Sequence, residues 1–213
     1  MLRQQLLDTA RGRIVSLLQS GPLTVDDIAS KLEISGSGIR AQITAMERDG
    51  VVQRVGRRAG TTRPSRLFEL TPDVEQLLSQ AYVPLLTHLV DVFANGLPAR
   101  QLDALMREAG KKLAGTLSAG RAPGNLRARV TAASDLLNVQ LGAVTHVEQN
   151  GGLVIRGESC PLSALTGKHP AVCRAMESLV KELVGAPVHE CCERAQRPRC
   201  CFKISAPTKS EGR

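Results

Sequence analysis

The 213-residue chain has no tryptophan, one tyrosine and three phenylalanines. Its core must therefore be built from leucine, valine, isoleucine and alanine, and a hydrophobic content of 42% makes such a core feasible. It lacks any apolar run of about 18 residues, which excludes an ordinary membrane-spanning helix. Met1-Leu2-Arg3 leads into Gln4, Gln5 and Asp8 instead of an apolar stretch, so no secretory signal is read there. Internal repeats and low-complexity segments are missing. No Gly-rich phosphate loop and no Ser/His/Asp or Cys/His arrangement at usable spacing is recognisable, so an enzyme is not expected. These absences predict a cytoplasmic protein, where thiols stay reduced. Cysteine is missing from the first 159 residues, while all six fall between Cys160 and Cys201.

What is present begins with charge. The formal net charge is +8. Such an excess favours an acidic partner, most simply nucleic acid, and the location of the charge has to decide. Leu6, Leu7, Ile14, Leu17 and Leu18 recur at helical spacing, and Ser20-Gly21-Pro22 ends that segment. Thr24 is suited to N-cap a short helix over 25–32, with Asp26 and Asp27 favourable to its dipole and Leu23 and Ile28 as a hydrophobic staple. After a turn at Glu33 to Gly36, a second helix runs from Ser37 to Arg48. Ile39, Ile43 and Met46 mark its inner face. Ser37, Arg40, Ala41, Thr44 and Arg48 mark the outer face, small, polar or cationic as entry into a major groove requires. Residues 50–55 read as a strand, Arg57 to Pro64 as a basic turn and Ser65 to Leu70 as the return strand. From Val51 to Phe68 there are five arginines, at 54, 57, 58, 63 and 66, and no acid. Arg57, Arg58 and Arg63 at the tip suit phosphate or minor-groove contact. Helix, helix-turn-helix and basic wing together resemble the winged helix-turn-helix of bacterial transcription regulators.

Thr71 and Pro72 are placed to cap and start a long helix, within which Pro84 introduces a kink or split. Its stripe of Val74, Leu77, Leu78, Ala81, Tyr82, Leu85, Leu86, Leu89, Val90 and Phe93 is either intramolecular core or the seam of a two-fold dimer. Helices are predicted over 97–117 and 126–141, separated by a Gly/Pro linker at 120–125. A weak strand at 143–148, the hairpin signal Asn150-Gly151 and a return strand at 153–156 follow. Pro170 starts a helix ending at Gly185, which places Cys173 in the first turn, where thiolate is favoured. Two strands, 187–192 and 200–205, flank a basic loop. Alternation puts Cys200, Phe202 and Ile204 on one face and Cys192 with Val188. The cysteines suit a thiolate-held iron–sulfur cluster, a zinc site with ligands converging from afar, or plain buried thiols. His88 and His146 read as structural or exposed, while His169 and His189 flank the thiols.

The architecture from about Leu6 to Ile204 resembles the SufR-like iron–sulfur-sensing repressors of the wider ArsR/DeoR-type winged-helix group. The residues that carry it are the C-x₁₂-C pair Cys160 and Cys173 and the C-x-F-x-I ending, met by Cys200-Cys201-Phe202-Lys203-Ile204. The resemblance implies a repressor whose cluster, of two or four irons, is held by Cys160, Cys173, Cys192 and Cys200. Cys191 and Cys201 stand beside two of these as competing donors. It implies an α+β fold in four parts: a DNA-binding domain over 1–71, a helical connector and dimerisation region over 72–120, a cysteine-containing sensor over 121–205 and a disordered tail over 206–213. The implied partners are a double-stranded operator and a second copy of the chain.

Overall fold

The computed structural model describes residues 7–59, 64–118, 120–149 and 151–206. Arg63 and the tail beyond residue 206 lie outside the described residues. The chain divides into two compact units, Met1–Gln80 and Ala81–Arg213. Helix and sheet are mixed in both. Among the described residues no single helix is long and apolar enough to cross a membrane.

The first unit is a winged helix-turn-helix. Helix α1 (Ala10–Leu18) is followed by a short strand β1 (Leu23–Thr24) and by α2 (Val25–Leu32). Thr24 caps α2 by accepting the Asp27 amide, and Asp27 accepts the Thr24 amide in return, closing a capping box. Helix α3 (Gly36–Arg48) is capped by Ser35, whose hydroxyl accepts the Gly38 amide. Strands β2 (Val52–Arg58) and β3 (Ser65–Leu70) pair antiparallel, and β1 joins the other edge of β3, giving the order β1-β3-β2. The tie of Leu23 to Phe68 across β1 and β3 has no signal in a two-residue segment. Ile14, Leu18, Ile28, Ile39, Ile43, Met46, Val52, Phe68 and Leu70 form the closed core. Each such side chain contributes about 1.5–3 kcal/mol of burial, which explains why a unit with one buried phenylalanine holds together.

Arg57 and Arg58 are not in a turn. They lie on β2, which continues past a register shift between Arg54 and Gly56. Thr71 occupies the N-cap position of α4 (Pro72–Leu78) without capping it. Its hydroxyl donates to the Gly50 carbonyl at 2.8 Å instead, anchoring the exit of the wing. The long helix expected from Thr71 onward is broken at residues 79–81, before Pro84, which sits in the first turn of α5 (Tyr82–Gly96) and so costs no internal hydrogen bond.

In the second unit, α6 (Ala99–Leu117) and α7 (Leu126–Leu141) precede the hairpin of β4 (Thr145–Gln149) and β5 (Leu153–Gly157). A short α8 (Ser163–Thr166) and a 3₁₀ turn (Pro170–Val172) lead directly into α9 (Cys173–Val184). Strands β6 (Val188–Glu190) and β7 (Cys201–Ile204) complete an antiparallel sheet of order β4-β5-β7-β6. Val130, Leu137, Ile155, Leu179, Val184 and Phe202 lie at the centre of the core that joins α7 and α9 to this sheet. Helix α6 crosses α9 at Gly110, where an added Cβ would lie 2.1 Å from the Ala175 carbonyl oxygen.

Helix α5 presents little of its apolar stripe to this core. Val90 is buried with Leu165 and Val172. Tyr82, Val83, Leu85, Leu86, Leu89, Val92 and Phe93 are exposed. The stripe is therefore not intramolecular core along most of α5.

Candidate metal centre and nucleic-acid interface

The five outward residues expected on the recognition helix are all exposed or half-buried on α3: Ser37, Arg40, Ala41, Thr44 and Arg48. Together with Ala45 they line one shallow open surface. Thr44 donates its hydroxyl to the Arg40 carbonyl, leaving the oxygen free to accept. A groove between α3 and the wing is lined by Arg40, Arg54, Arg57 and Arg66, with Asp26 and Glu47 as its acids.

The cations differ in availability. Arg54 is paired with Glu47 at 2.6 Å, Arg58 with Asp27 at 2.8 Å, and Arg48 with Asp49 at 3.3 Å. Arg40, Arg57 and Arg66 make no ion pair among the described residues. Arg57 stands directly opposite Arg66 across β2 and β3. Like charges in that position repel. Nothing in the sequence sets Arg66 apart from the other wing arginines, because its partner depends on strand register.

The thiols converge in the second unit from four separate places. Cys160 follows β5, Cys173 opens α9, Cys192 follows β6 and Cys200 precedes β7. Gly157 lets the end of β5 approach: its amide donates to the Cys200 carbonyl at 2.7 Å, and a Cβ there would meet the Ser159 carbonyl oxygen at 2.9 Å. Cys200, Phe202 and Ile204 are buried in the core, and Cys192, Val188 and Cys160 pack against it. Each thiol shifts the titration of its neighbour, Cys173 with Cys192, Cys192 with Cys200 and Cys200 with Cys160.

That order sets the protons. Hydrogen bonding from Cys200 pulls the Cys160 thiol below its ordinary value, against its burial. The hydrogen bond with Cys160 and burial push Cys200 up to about 12, against the contact from Cys192. Cys173 pulls Cys192 down, but Cys200 and burial outweigh it and leave Cys192 raised to about 12. Cys173 is pushed up, first by its hydrogen bond to Cys192 and then by burial. The lowering expected of a helix start is therefore not the direction of the Cys173 shift. Its helical start is also continuous with the 3₁₀ turn, so its own amide is already donated to the carbonyls of Pro170 and Ala171.

Main-chain donors reach the sulfurs as well. The Cys201 amide donates to Cys192 Sγ at 3.3 Å, and the Leu162 main chain helps to lower the Cys160 thiol. Glu190 joins the thiols. It is buried beside the thiols, and its carboxylate, Cys173 Sγ and Cys192 Sγ lie within 4.8 Å of one another. No spacing rule marks a lone glutamate next to a Cys-Cys doublet.

Cys191 and Cys201 are joined in a disulfide, against the expectation that all thiols stay reduced. The reason is local. The Cys191 amide donates to the Cys201 carbonyl at 2.8 Å, so β6 and β7 carry their pairing one residue further and bring these two Cα atoms to 4.9 Å. Of the histidines, His169 is buried, with Nε2 2.7 Å from Asp91 Oδ1 on α5. Lys168 reaches the same carboxylate at 2.7 Å. The segment between Cys160 and Cys173 is thereby held on α5 by Asp91 and Val90. His146 pairs with Glu148, and His88 lies 3.7 Å from Asp91.

Residues 8–54 match the family model described as "Bacterial regulatory protein, arsR family". No curated protein matches the chain. Among solved structures, Lactococcus lactis ZitR in an apo mutant form is 16% identical, covering 48% of this chain and 77% of that one, with a TM-score of 0.30. Reduced YodB from B. subtilis is 22% identical, covering 45% and 91%, with a TM-score of 0.29. A mutant of S. aureus MepR bound to an oligodeoxyribonucleotide is 20% identical, covering 54% and 85%, with a TM-score of 0.30. The matched segment, the fold of the first unit and its exposed basic helix face and wing make this chain a DNA-binding transcription regulator of the winged-helix type.

Proposed function

We propose that the chain is a cytoplasmic repressor, working as a homodimer, whose operator affinity is controlled by an iron–sulfur cluster on Cys160, Cys173, Cys192 and Cys200. The observation that supports this reading is the convergence of these four free thiols, while Cys191 and Cys201 are tied to each other. Soft thiolate donors, of which Cys192 already accepts a main-chain N–H group, fit such a cluster. When bound, the cluster supplies a reducible or removable tie among the four thiolates. Residues 1–71 bind DNA, 72–120 connect and dimerise, and 121–205 sense.

Coupling between the two functions runs through this chain's own contacts. The segment from Cys160 to Cys173 rests on α5 through Leu165, Val172, Lys168 and His169. The opposite face of α5 is the exposed apolar stripe, an area of the kind that marks an interface. Two recognition helices must be spaced to reach two half-sites, so a shift in α5 changes operator affinity. Regulation follows only where the two states differ in DNA affinity.

A mononuclear zinc reading has one observation in its favour, the approach of Glu190 to Cys173 and Cys192. Both Glu190 oxygens are already engaged, by the Cys192 amide and by Arg194, which weakens it as a ligand. Anaerobic purification separates the two readings. A brown protein with visible absorption, iron and acid-labile sulfide supports the cluster. A colourless protein with stoichiometric zinc supports the alternative and overturns the cluster.

A further inference from the structure

The hairpin that carries two of the four free thiols is built on two cysteine doublets, Cys191-Cys192 and Cys200-Cys201. Its register runs from Val188 opposite Ile204, through His189 opposite Lys203, to Glu190 opposite Phe202. It closes at a bridge between Glu193 and Arg199, with reciprocal hydrogen bonds of 3.0 and 2.9 Å. Carried through the doublets, the same register sets Cys191 against Cys201 and Cys192 against Cys200. Side chains alternate along a strand, so the first pair shares a face with exposed His189 and Lys203, and the second with buried Phe202. A slip of one residue reverses those faces. Because each strand carries two adjacent cysteines, a slipped hairpin still turns thiols toward the core, and the doublets alone do not choose between them. The disulfide between Cys191 and Cys201 makes that choice, holding their Cα atoms at 4.9 Å. It also adjoins the thiol centre. The Cys201 amide donates to Cys192 Sγ at 3.3 Å, and the Cys192 amide donates to Glu190 Oε1 at 2.7 Å.

We propose that Cys191 and Cys201 form a second redox site, a reversible dithiol–disulfide couple that exchanges with low-molecular-weight thiols and, when oxidised, reserves Cys192 and Cys200 for the thiolate centre. The inference rests on the cytoplasmic cluster reading above. In a reducing compartment a disulfide is transient and redox-sensing more often than structural. The two sulfurs differ in access. Cys191 is half-buried, whereas Cys201 is 4% exposed and has Arg156 of β5 as its other cross-strand neighbour. Exchange therefore enters at Cys191. A small thiolate attacks the Cys191 sulfur, the S–S bond breaks, and Cys201 leaves as a thiolate that takes a proton from water. A second small thiolate attacks the small-molecule sulfur of the mixed disulfide and releases Cys191, which is protonated in turn. The protein gains two electrons and two protons, and two small thiols become one small disulfide. Reduction removes the register tie and frees a competing donor beside each of Cys192 and Cys200.

The test uses the full-length chain equilibrated in glutathione buffers of graded oxidised-to-reduced ratio, then alkylated and mapped by mass spectrometry. Four free thiols are expected at the oxidised end and all six at the reduced end, with the difference confined to Cys191 and Cys201 and reversible on returning the buffer. Six free thiols throughout, or a disulfide on other cysteines, overturn the proposal. Both forms of the parent are then desalted anaerobically and titrated with cobalt(II), read from the sulfur-to-cobalt charge-transfer absorption. The reduced form is expected to bind about tenfold more weakly, the size of effect that follows loss of a contact supporting a ligand. The double variant Cys191→Ser with Cys201→Ser is expected to bind like the reduced parent whichever buffer it has seen. Equal cobalt affinity in the two forms of the parent overturns the proposal without recourse to any variant. A parent that takes up neither iron–sulfur cluster nor cobalt overturns the thiolate-centre reading, and with it this inference. A parent that loads cluster while its two redox forms bind cobalt alike overturns the inference alone.

Discussion

The Arg58 guanidinium donates to Asp27 Oδ2 at 2.8 Å, and the same Asp27 oxygen accepts the Thr24 amide in the capping box of α2. One arginine of the wing is therefore committed to the helix that precedes the recognition helix. Its neighbour Arg57 faces Arg66 instead. The two arginines are adjacent in sequence and differ in pairing. We expect Arg57→Ala to weaken binding to all DNA sequences and to reduce the salt dependence by about one unit of slope. Arg58→Ala is expected to change the slope less, because its charge is already partly answered. Fluorescence anisotropy over a salt series measures both, and equal slopes for the two variants contradict the division.

The capping box also carries a pH dependence. The backbone hydrogen bond from Thr24, with the contributions of the Thr24 hydroxyl and Arg58, holds Asp27 below the ordinary carboxylate value of 3.8. A folded value below the unfolded one means that the stability is present above 3.8 and is lost as pH falls through the lowered value. Thr24→Ala removes the cap and costs about 1 kcal/mol. Thermal melts at pH 7 and pH 3 measure it, and the gap between parent and Thr24→Ala narrows at the acidic end.

On α3, Arg40→Ala and Thr44→Ala are expected to lower operator affinity by about 1–3 kcal/mol each where they make base contacts. Both side chains are exposed, so circular dichroism stays that of the parent. Unchanged affinity in a gel-shift assay removes the recognition role from this face.

Cysteine-to-serine variants separate the ligands from the disulfide. Serine at Cys160, Cys173, Cys192 or Cys200 is expected to abolish iron and sulfide incorporation. Serine at Cys191 or Cys201 is expected to retain both while lowering stability by roughly 2–3 kcal/mol for the short loop closed. Retention of cluster by Cys192→Ser together with its loss in Cys191→Ser reverses the assignment.

The exposed stripe of α5 gives a test of assembly. Leu85→Glu with Leu89→Glu places two charges on the face that carries Tyr82 and Val92. The expected product is a monomer by analytical ultracentrifugation that keeps its visible spectrum and loses operator binding. A dimer of parental stability moves the interface elsewhere.

The sequence alone determined the periodic elements and their chemistry. The apolar spacing of Ile39, Ile43 and Met46 specifies which face of α3 turns inward, since only one stripe of a 3.6-residue period can be buried. Alternation at Cys200, Phe202 and Ile204 likewise names a core face, because side chains on a strand have a period of two. What the sequence could not decide was partnership between segments distant in the chain. The opposition of Arg57 to Arg66, the tie of Arg58 to Asp27, the covalent pairing of Cys191 with Cys201 and the burial of Glu190 against Cys173 all depend on strand register and loop closure. The long apolar stripe from Val74 to Phe93 made the same point from the other side. Its periodicity promised burial but not by what, and the fold covers Val90 while leaving Leu85, Leu89 and Val92 exposed. Local pattern fixes which face is apolar; only the three-dimensional packing selects the surface that meets it.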